Sequence, residues 1–400
     1  MSITITKLHM NTVRNTITSC LVAMAFLFNS ICLLVGILFP AISGFGDVFV
    51  IIILFIGFLL CLTSPMRLIR NVIFMNLLLL LAIILSYIYY RFSPMIYTLM
   101  LNFFAWGIGI AVIMMQDYDL RKTINISYVF STITCIFELI FNAHNLYEPM
   151  TWTYAIFPCL ATIIVHFIYC RYSGILLKLF YIPGLLMLFK FFLYANRGGV
   201  VSLLLLIYLV SIKGKNSNSN KLRNKKILNI LLLILLVCSV FFYEQIIAIL
   251  YNLLSQRDIE VSALSKMYRM IGLGNVTNNR NELYIYAWNG FLESPLWGNG
   301  IGGFSVNHGG WTHNFVLQIL YEGGIALFII IIVPLVKIVV FFINGKQVTN
   351  EEYSLFALFF CTSVPRLLFS TELWNTQGFW MLLAFGMITI KKHKNIRKEN

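Results

Sequence analysis

Apolar runs recur along nearly the whole chain, each long enough to read as a helix crossing a bilayer, which takes about 20 mostly apolar residues. The pattern predicts spans near 17–40, 47–64, 70–90, 94–116, 124–143, 152–170, 175–194, 199–212, 227–250, 313–336, 353–370 and 374–390. The span near 199–212 is short, and only a few residues separate the last two. Between the ninth and tenth spans lies the longest polar stretch, from about Tyr251 to Thr312. Within it, Asp258–Met270 and Arg280–Glu293 keep a helical apolar spacing, with Tyr284, Trp288 and Phe291 recurring every three to four residues. Both read as amphipathic helices lying on a membrane face, and Asn278 and Asn279 are placed to cap the second. The expected organisation is a helical bundle over 1–250, a large loop over 251–312, three further helices over 313–390 and a basic tail over 391–400.

The cations orient this arrangement. They gather before the first span (Lys7, Arg14), in the turn with Arg67 and Arg70, in the loop from Lys213 to Lys226, and in the tail from Lys391 to Lys398. With twelve spans all four clusters fall on one side, which the positive-inside rule makes cytoplasmic. Both termini are then inside, and the 251–312 loop is outside, periplasmic. The first run is too long for a signal-peptide core and reads as a retained helix.

Composition agrees. Hydrophobic residues make up 60% of the 400 and charged ones 11%, too few to cover a soluble surface, where about 25% is usual. The net charge of +14 sits in the topology-setting clusters, so it does not point to nucleic acid. None of the eight cysteines forms a C-x-x-C pair, so neither a disulfide framework nor a zinc site is indicated. The absence of a visible internal repeat weighs against a transporter built from inverted halves.

Four cations break the positive-inside pattern. Arg197, in Asn196-Arg197-Gly198-Gly199, and Lys190, two turns earlier, stand at the outer end of their spans; Arg366 lies near the outer end of the eleventh; Arg280 opens a loop helix. Cations converging on one face can hold a diphosphate, for which the arginine fork is suited. The alternative is that each snorkels to the outer headgroups. His313, in Trp311-Thr312-His313-Asn314, sits where the loop meets the tenth span and can move a proton near neutral pH; the alternative is an interfacial polar residue. His308 has no carboxylate at ligand spacing, so no metal is expected. Glu322, nine residues after His313, points away from it on a straight helix. The Pro295–Gly303 stretch matches neither a dinucleotide fingerprint nor a phosphate loop and reads as a flexible turn.

One run resembles a known family. Arg280 opens a helix with Trp288 near its middle; Ser294 to Gly300 reads Ser-Pro-Leu-x-Gly-x-Gly; His313-Asn314 is followed, after nine residues, by Gly324. With Arg197-Gly198 at the start of an earlier helix, this resembles the O-antigen ligase and polymerase superfamily of bacterial membrane glycosyltransferases. The resemblance implies a C-type glycosyltransferase fold in the inner membrane. It also implies an oligosaccharide on undecaprenyl diphosphate as donor, with no metal or other cofactor. Arg197 and Arg280 would bind the diphosphate, and His313 would act as general base on the acceptor hydroxyl or position it. Lys190, Arg366 and Asn314 are read as further diphosphate or glycan contacts. Ligases of the superfamily often place Gly, Thr or Tyr after the motif glycine. Here Ile325-Ala326-Leu327 follows, which favours a polymerase, with a chain-length regulator as its partner, over a ligase. A lipid-linked oligosaccharide flippase is the rival from another class.

Overall fold

The computed structural model describes residues 2–39, 69–145, 147–169, 181–213, 243–257, 262–272, 280–345 and 347–399, and singly 48, 55 and 59. Every described element is helical. In chain order they are α1 (Ser2–Phe26), α2 (Phe28–Leu38), α3 (Arg70–Tyr89), α4 (Pro94–Met114), α5 (Leu120–Phe141), α6 (Pro149–Tyr169), α7 (Ile182–Tyr194), α8 (Arg197–Lys213), α9 (Tyr243–Ser255), α10 (Ser262–Gly272), α11 (Arg280–Glu293), α12 (Gly303–His308), α13 (Phe315–Asn344), α14 (Asn350–Phe369) and α15 (Gln377–Glu399).

Six of these, α3 to α6, α13 and α14, are long and apolar enough to cross a bilayer, so the chain is an all-α, multi-pass membrane protein. The span expected at 17–40 is interrupted at Leu27, which leaves helical geometry (φ −90°, ψ 16°) between α1 and α2. The one expected at 47–64, most of the one at 227–250 and the cationic loop from 214 to 226 lie outside the described residues. In α15, the apolar stretch ends at Lys391, and the basic tail continues the helix instead of leaving it. Local signals set several starts. Proline occupies the first turn of α4 and α7, Asn314 caps α13, and Thr349 with Glu352 forms a capping box on α14.

The chain divides into two compact units, one of residues 1–26, 51–126 and 279–400, the other of 27–50 and 127–278. In the first, α13, α14 and α15 pack around an aromatic core in which Phe342 stacks on Phe356 (centroids 4.5 Å apart) and Trp374 on Trp380 (5.8 Å). The far end of α15 is tied to the start of α14, where His393 and Lys392 meet Glu352 at 3.1 and 3.7 Å. In the second unit, α6 lies against α2, α7 and α8, and buries Trp152 and Phe157 against Phe191 of α7.

The Gly-rich stretch is docked on α13. Gly324 interrupts α13 with φ 58° and ψ −156°, a backbone region reserved for glycine. The N–H groups released there are taken up by the turn: Ile325 N donates to Pro295 O (2.9 Å) and Ala326 N to Leu296 O (3.1 Å), while Asn299 N donates back to Tyr321 O (2.8 Å). A Cβ at position 324 would stand 2.6 Å from the Leu296 carbonyl carbon. The sequence elements Ser-Pro-Leu-x-Gly-x-Gly and His-Asn-x9-Gly are thus two halves of one joint.

Against this joint lies α11. Its inner stripe is Ala287 and Gly290, both buried, with Leu283 half-buried beside them, packed on Tyr321 and Phe304. Of the aromatics that recur along it, Trp288 is turned outward, 47% exposed, and Tyr284 and Phe291 are half-buried. Small residues win the inner face because they let α11 approach the Tyr321 ring closely.

Candidate functional site

The last turn of α14 gathers the candidate residues of the first unit. Helices end with carbonyls that have no partner within the helix, and two such groups, from Phe369 and Ser370, point at the sequence-predicted side chains. Arg280 Nη1, from the first residue of α11, donates to Phe369 O. His313 Nδ1 lies 3.2 Å from Ser370 O. The carbonyl end of a helix favours a cation, which accounts for the choice of an arginine there.

His313 is held with positive φ (54°), a conformation that costs a non-glycine residue on the order of 1 kcal/mol or more. It is fixed from both sides. Next to it, Asn314 turns its Oδ1 onto Val316 N (3.0 Å) and Leu317 N (3.3 Å), capping α13; this gives the sequence-predicted glycan contact a structural bond of its own. On the other side, Trp311 Nε1 lies 3.2 Å from the same His313 Nδ1. One nitrogen cannot donate to Ser370 and accept from Trp311 at once. The tautomer bonded to Ser370 leaves Nε2 with its lone pair available. Burial first, then the charge of Arg280, pulls the His313 pKa below the ordinary histidine value, while the Ser370 carbonyl pulls it upward. That shift favours the neutral imidazole.

Arg366 stands one turn before Phe369 on α14. Residues 370–376, between α14 and α15, carry Glu372, whose carboxyl is pushed up to about 7 by burial and accepts a bond from Asn375 Nδ2 at 2.8 Å. Glu322 of α13 does not meet His313. It is buried and accepts from Gln318 Nε2 (3.1 Å) and Trp374 Nε1 (2.8 Å). No sequence pattern announced the carbonyls of Phe369 and Ser370. A glutamate in an apolar helix was the only available signal for the polar joint behind them.

Arg197 and Lys190 belong to the second unit. Asn196 caps α8, its Oδ1 accepting from Gly199 N at 2.8 Å, and its own N–H is held by Thr153 Oγ1 at 3.1 Å. This puts Arg197, described by its backbone, in the first helical turn. Gly198 and Gly199 admit the close approach of α6, since a Cβ at 198 would meet Tyr154 Oη at 2.5 Å. Lys190 is engaged within the unit: its Nζ pairs with Glu138 Oε1 at 2.9 Å and donates to Asn142 Oδ1 at 3.0 Å. His144 lies beside this pair, its ring tilted against that of Tyr194 with centroids 4.1 Å apart.

Among the described residues no three His, Cys, Asp or Glu side chains are grouped so as to hold a metal ion.

Residues 182–332 match the family described as O-Antigen ligase. No curated protein and no solved structure matches the chain. The matched segment runs from α7 into α13 and holds Lys190, Arg197, Arg280, His313 and the Gly324 joint. It supports a membrane glycosyltransferase of O-antigen ligase or polymerase type, with a lipid-linked glycan as substrate. Over those residues the chain is similar to the O-antigen ligase family, in line with the resemblance its motifs carry.

Proposed function

We propose that this protein is a surface-polysaccharide polymerase. It transfers a growing glycan from undecaprenyl diphosphate to a hydroxyl of the next lipid-linked repeat. The observation that carries the reading is that Arg280 and His313 are held by consecutive carbonyls of one helix end.

In the reaction an acceptor oxygen forms a bond to the anomeric carbon while the bond to the diphosphate breaks. The electron pair leaves with undecaprenyl diphosphate, and the hydroxyl proton goes to His313 Nε2. Arg280 stabilises the charge that grows on the departing phosphate, a fixed cation that need not reorganise during the reaction. The resemblance adds Arg197 as a second diphosphate-binding cation. A cation in the first turn of a helix opposes the positive end of the helix dipole, and an anionic substrate there would relieve that repulsion. Arg366 is assigned to the same leaving group, and Asn314 to the glycan through its amide nitrogen. A chain-length regulator is the partner expected of a polymerase.

The proposed site belongs on the periplasmic face, a reading that α14 supports. Its first turn meets the basic tail through Glu352, and its last residue accepts Arg280. Twenty residues separate these ends, about 30 Å at 1.5 Å per residue, so one end is cytoplasmic and the other periplasmic by the positive-inside rule.

The test uses cells that lack the chain and carry it back as wild type or as Arg197→Ala, Arg280→Ala or His313→Ala. The expected result is loss of long-chain polysaccharide from each variant while the protein still inserts; normal ladders from all three would reject the reading. The deletion itself separates polymerase from ligase. A single repeat on the lipid core marks a polymerase, and finished polymer left on undecaprenyl diphosphate marks a ligase, the activity for which the matched family is described. Failure to move the repeat unit across the membrane would instead mark the flippase.

A further inference from the structure

The carbonyls that hold Arg280 and His313 have no side-chain means of aiming themselves; the backbone around them sets their direction. Residues 370–376 follow directly, and their backbone is fastened from α13. Gln318 Oε1 accepts the Leu373 N–H at 3.1 Å. One turn further along α13, Glu322 Oε2 accepts the Trp374 indole N–H at 2.8 Å. The two α13 side chains are joined to each other, Gln318 Nε2 donating to Glu322 Oε1 at 3.1 Å. Consecutive loop residues are thus clamped by one bonded pair.

The clamp is buried on all sides. Gln318 and Glu322 are each 1% exposed, and the Trp374 ring is fully buried, edge-on to Phe103 with centroids 5.7 Å apart. Polar side chains inside an apolar helix are costly, and a buried network of this kind rigidifies what it joins when its members are satisfied. A carboxyl that served only to fill space here would be replaced by a leucine at lower cost.

We infer that Glu322, acting with Gln318, is a positioning residue for glycosyl transfer: it fixes residues 370–374, and through them the two carbonyls that orient His313 and Arg280. The inference rests on the transfer roles proposed for those two residues.

The decisive variant exchanges the partners. Gln318→Glu with Glu322→Gln moves the carboxylate one turn but keeps every bond. The amide at 322 donates to the carboxylate at 318, which still accepts from Leu373, and the amide oxygen at 322 still accepts from Trp374. Two readouts are taken on the full chain in lipid nanodiscs. One is polymer formed from the lipid-linked repeat, as kcat and KM. The other is the rate at which diethyl pyrocarbonate modifies His313, read by mass spectrometry.

Glu322→Gln alone is expected to lower kcat about 10- to 100-fold, the scale of a small misplacement of catalytic groups, with KM little changed, and to alter the His313 modification rate. The exchange variant is expected to restore both. Trp374→Phe removes only the N–H and is expected to move both readouts in the direction of Glu322→Gln; it stands in if that variant does not insert. Wild-type kcat and wild-type His313 reactivity in the folded single variants would overturn the inference, and so would an exchange variant as impaired as the single one. Reactivity that shifts and is restored, while even His313→Ala leaves polymer formation intact, would keep the positioning role and overturn the transfer reading instead.

Discussion

Lys190 and Arg280 have much in common: each is a cation at the end of an apolar helix or at the start of one beside the bilayer, and each acts on a neighbouring histidine. Their surroundings differ in kind. Lys190 is 8% exposed and meets the fully buried carboxylate of Glu138 at 2.9 Å. Arg280 is half-buried and donates to a helix-end carbonyl. The two histidines register the contrast. Burial and Lys190 lower the His144 pKa, and Glu138 pulls it back. Burial and Arg280 lower that of His313, and what pulls it back is the Ser370 carbonyl, a dipole. A carboxylate cancels a cation's charge; a carbonyl orients the cation and leaves its field in place. The first arrangement closes a structure, and the second suits the charge-presenting role proposed for Arg280.

The sharpest way to break this comparison is to remove the two histidines in turn. His313→Ala is expected to lower transfer about 10²- to 10⁴-fold, the usual span for a general base, while His144→Ala leaves transfer per folded molecule unchanged. Because its pKa is lowered, the His313 base form persists below the ordinary histidine range. Transfer in the wild type should therefore stay flat through neutral pH and fall only in more acid solution. Equal losses from both variants would erase the distinction.

Next in size is the ion pair. Lys190→Met leaves Glu138 buried without its cation, at a cost of about 3–5 kcal/mol, and is expected to lower the amount of folded protein in the membrane. Lys190→Met with Glu138→Gln should recover most of it. If the recovered double variant is folded yet inactive, Lys190 grips the diphosphate, as the cation pattern of the sequence suggested, and the comparison fails.

Much of the helical architecture was legible because apolar length is a direct consequence of the bilayer: the spans read near 70–90, 94–116, 124–143, 152–170 and 353–370 are present within a few residues. What was illegible depended on shape or on distant backbone. Nothing in the apolar run around Leu27 announces the break between α1 and α2. The spacing of large aromatics in α11 announced a helix, but not that Ala287 and Gly290 would be its buried residues. Arg280 and His313 stood out as residue types, but their partners are main-chain carbonyls 89 and 57 residues away, and a carbonyl has no sequence signature. Glu138 and Lys190 lie 52 residues apart, so their pairing was equally hidden. The joint at Gly324 was visible as a motif and invisible as a mechanism.

That joint yields a third, smaller effect. Gly324→Ala forces an alanine into φ 58°, ψ −156°, at roughly 1–3 kcal/mol, and sets its Cβ 2.6 Å from the Leu296 backbone. Gly310→Ala meets nothing within 4 Å and serves as the control on the same loop. Limited proteolysis should find cleavage between 294 and 303 accelerated in the first variant and unchanged in the second.

The smallest effect sharpens the contrast between carboxyls. Glu138 has a lysine, whereas Glu372 bonds an amide, Asn375, and burial pushes its pKa up to about 7 from 4.5. A carboxyl whose folded pKa is raised contributes stability that is complete below its unfolded pKa and is lost as pH rises through the folded one. The window here runs from about 4.5 to about 7. Glu372→Gln keeps the oxygen that accepts from Asn375 and removes the titration. At pH 5 its melting temperature should match the wild type; at pH 8, where the buried carboxyl must ionise or remain protonated at a cost, the variant should melt higher by roughly 2–4 °C. The same difference at both pH values would mean that Glu372 already carries its charge at no penalty, with a cation serving it as Lys190 serves Glu138.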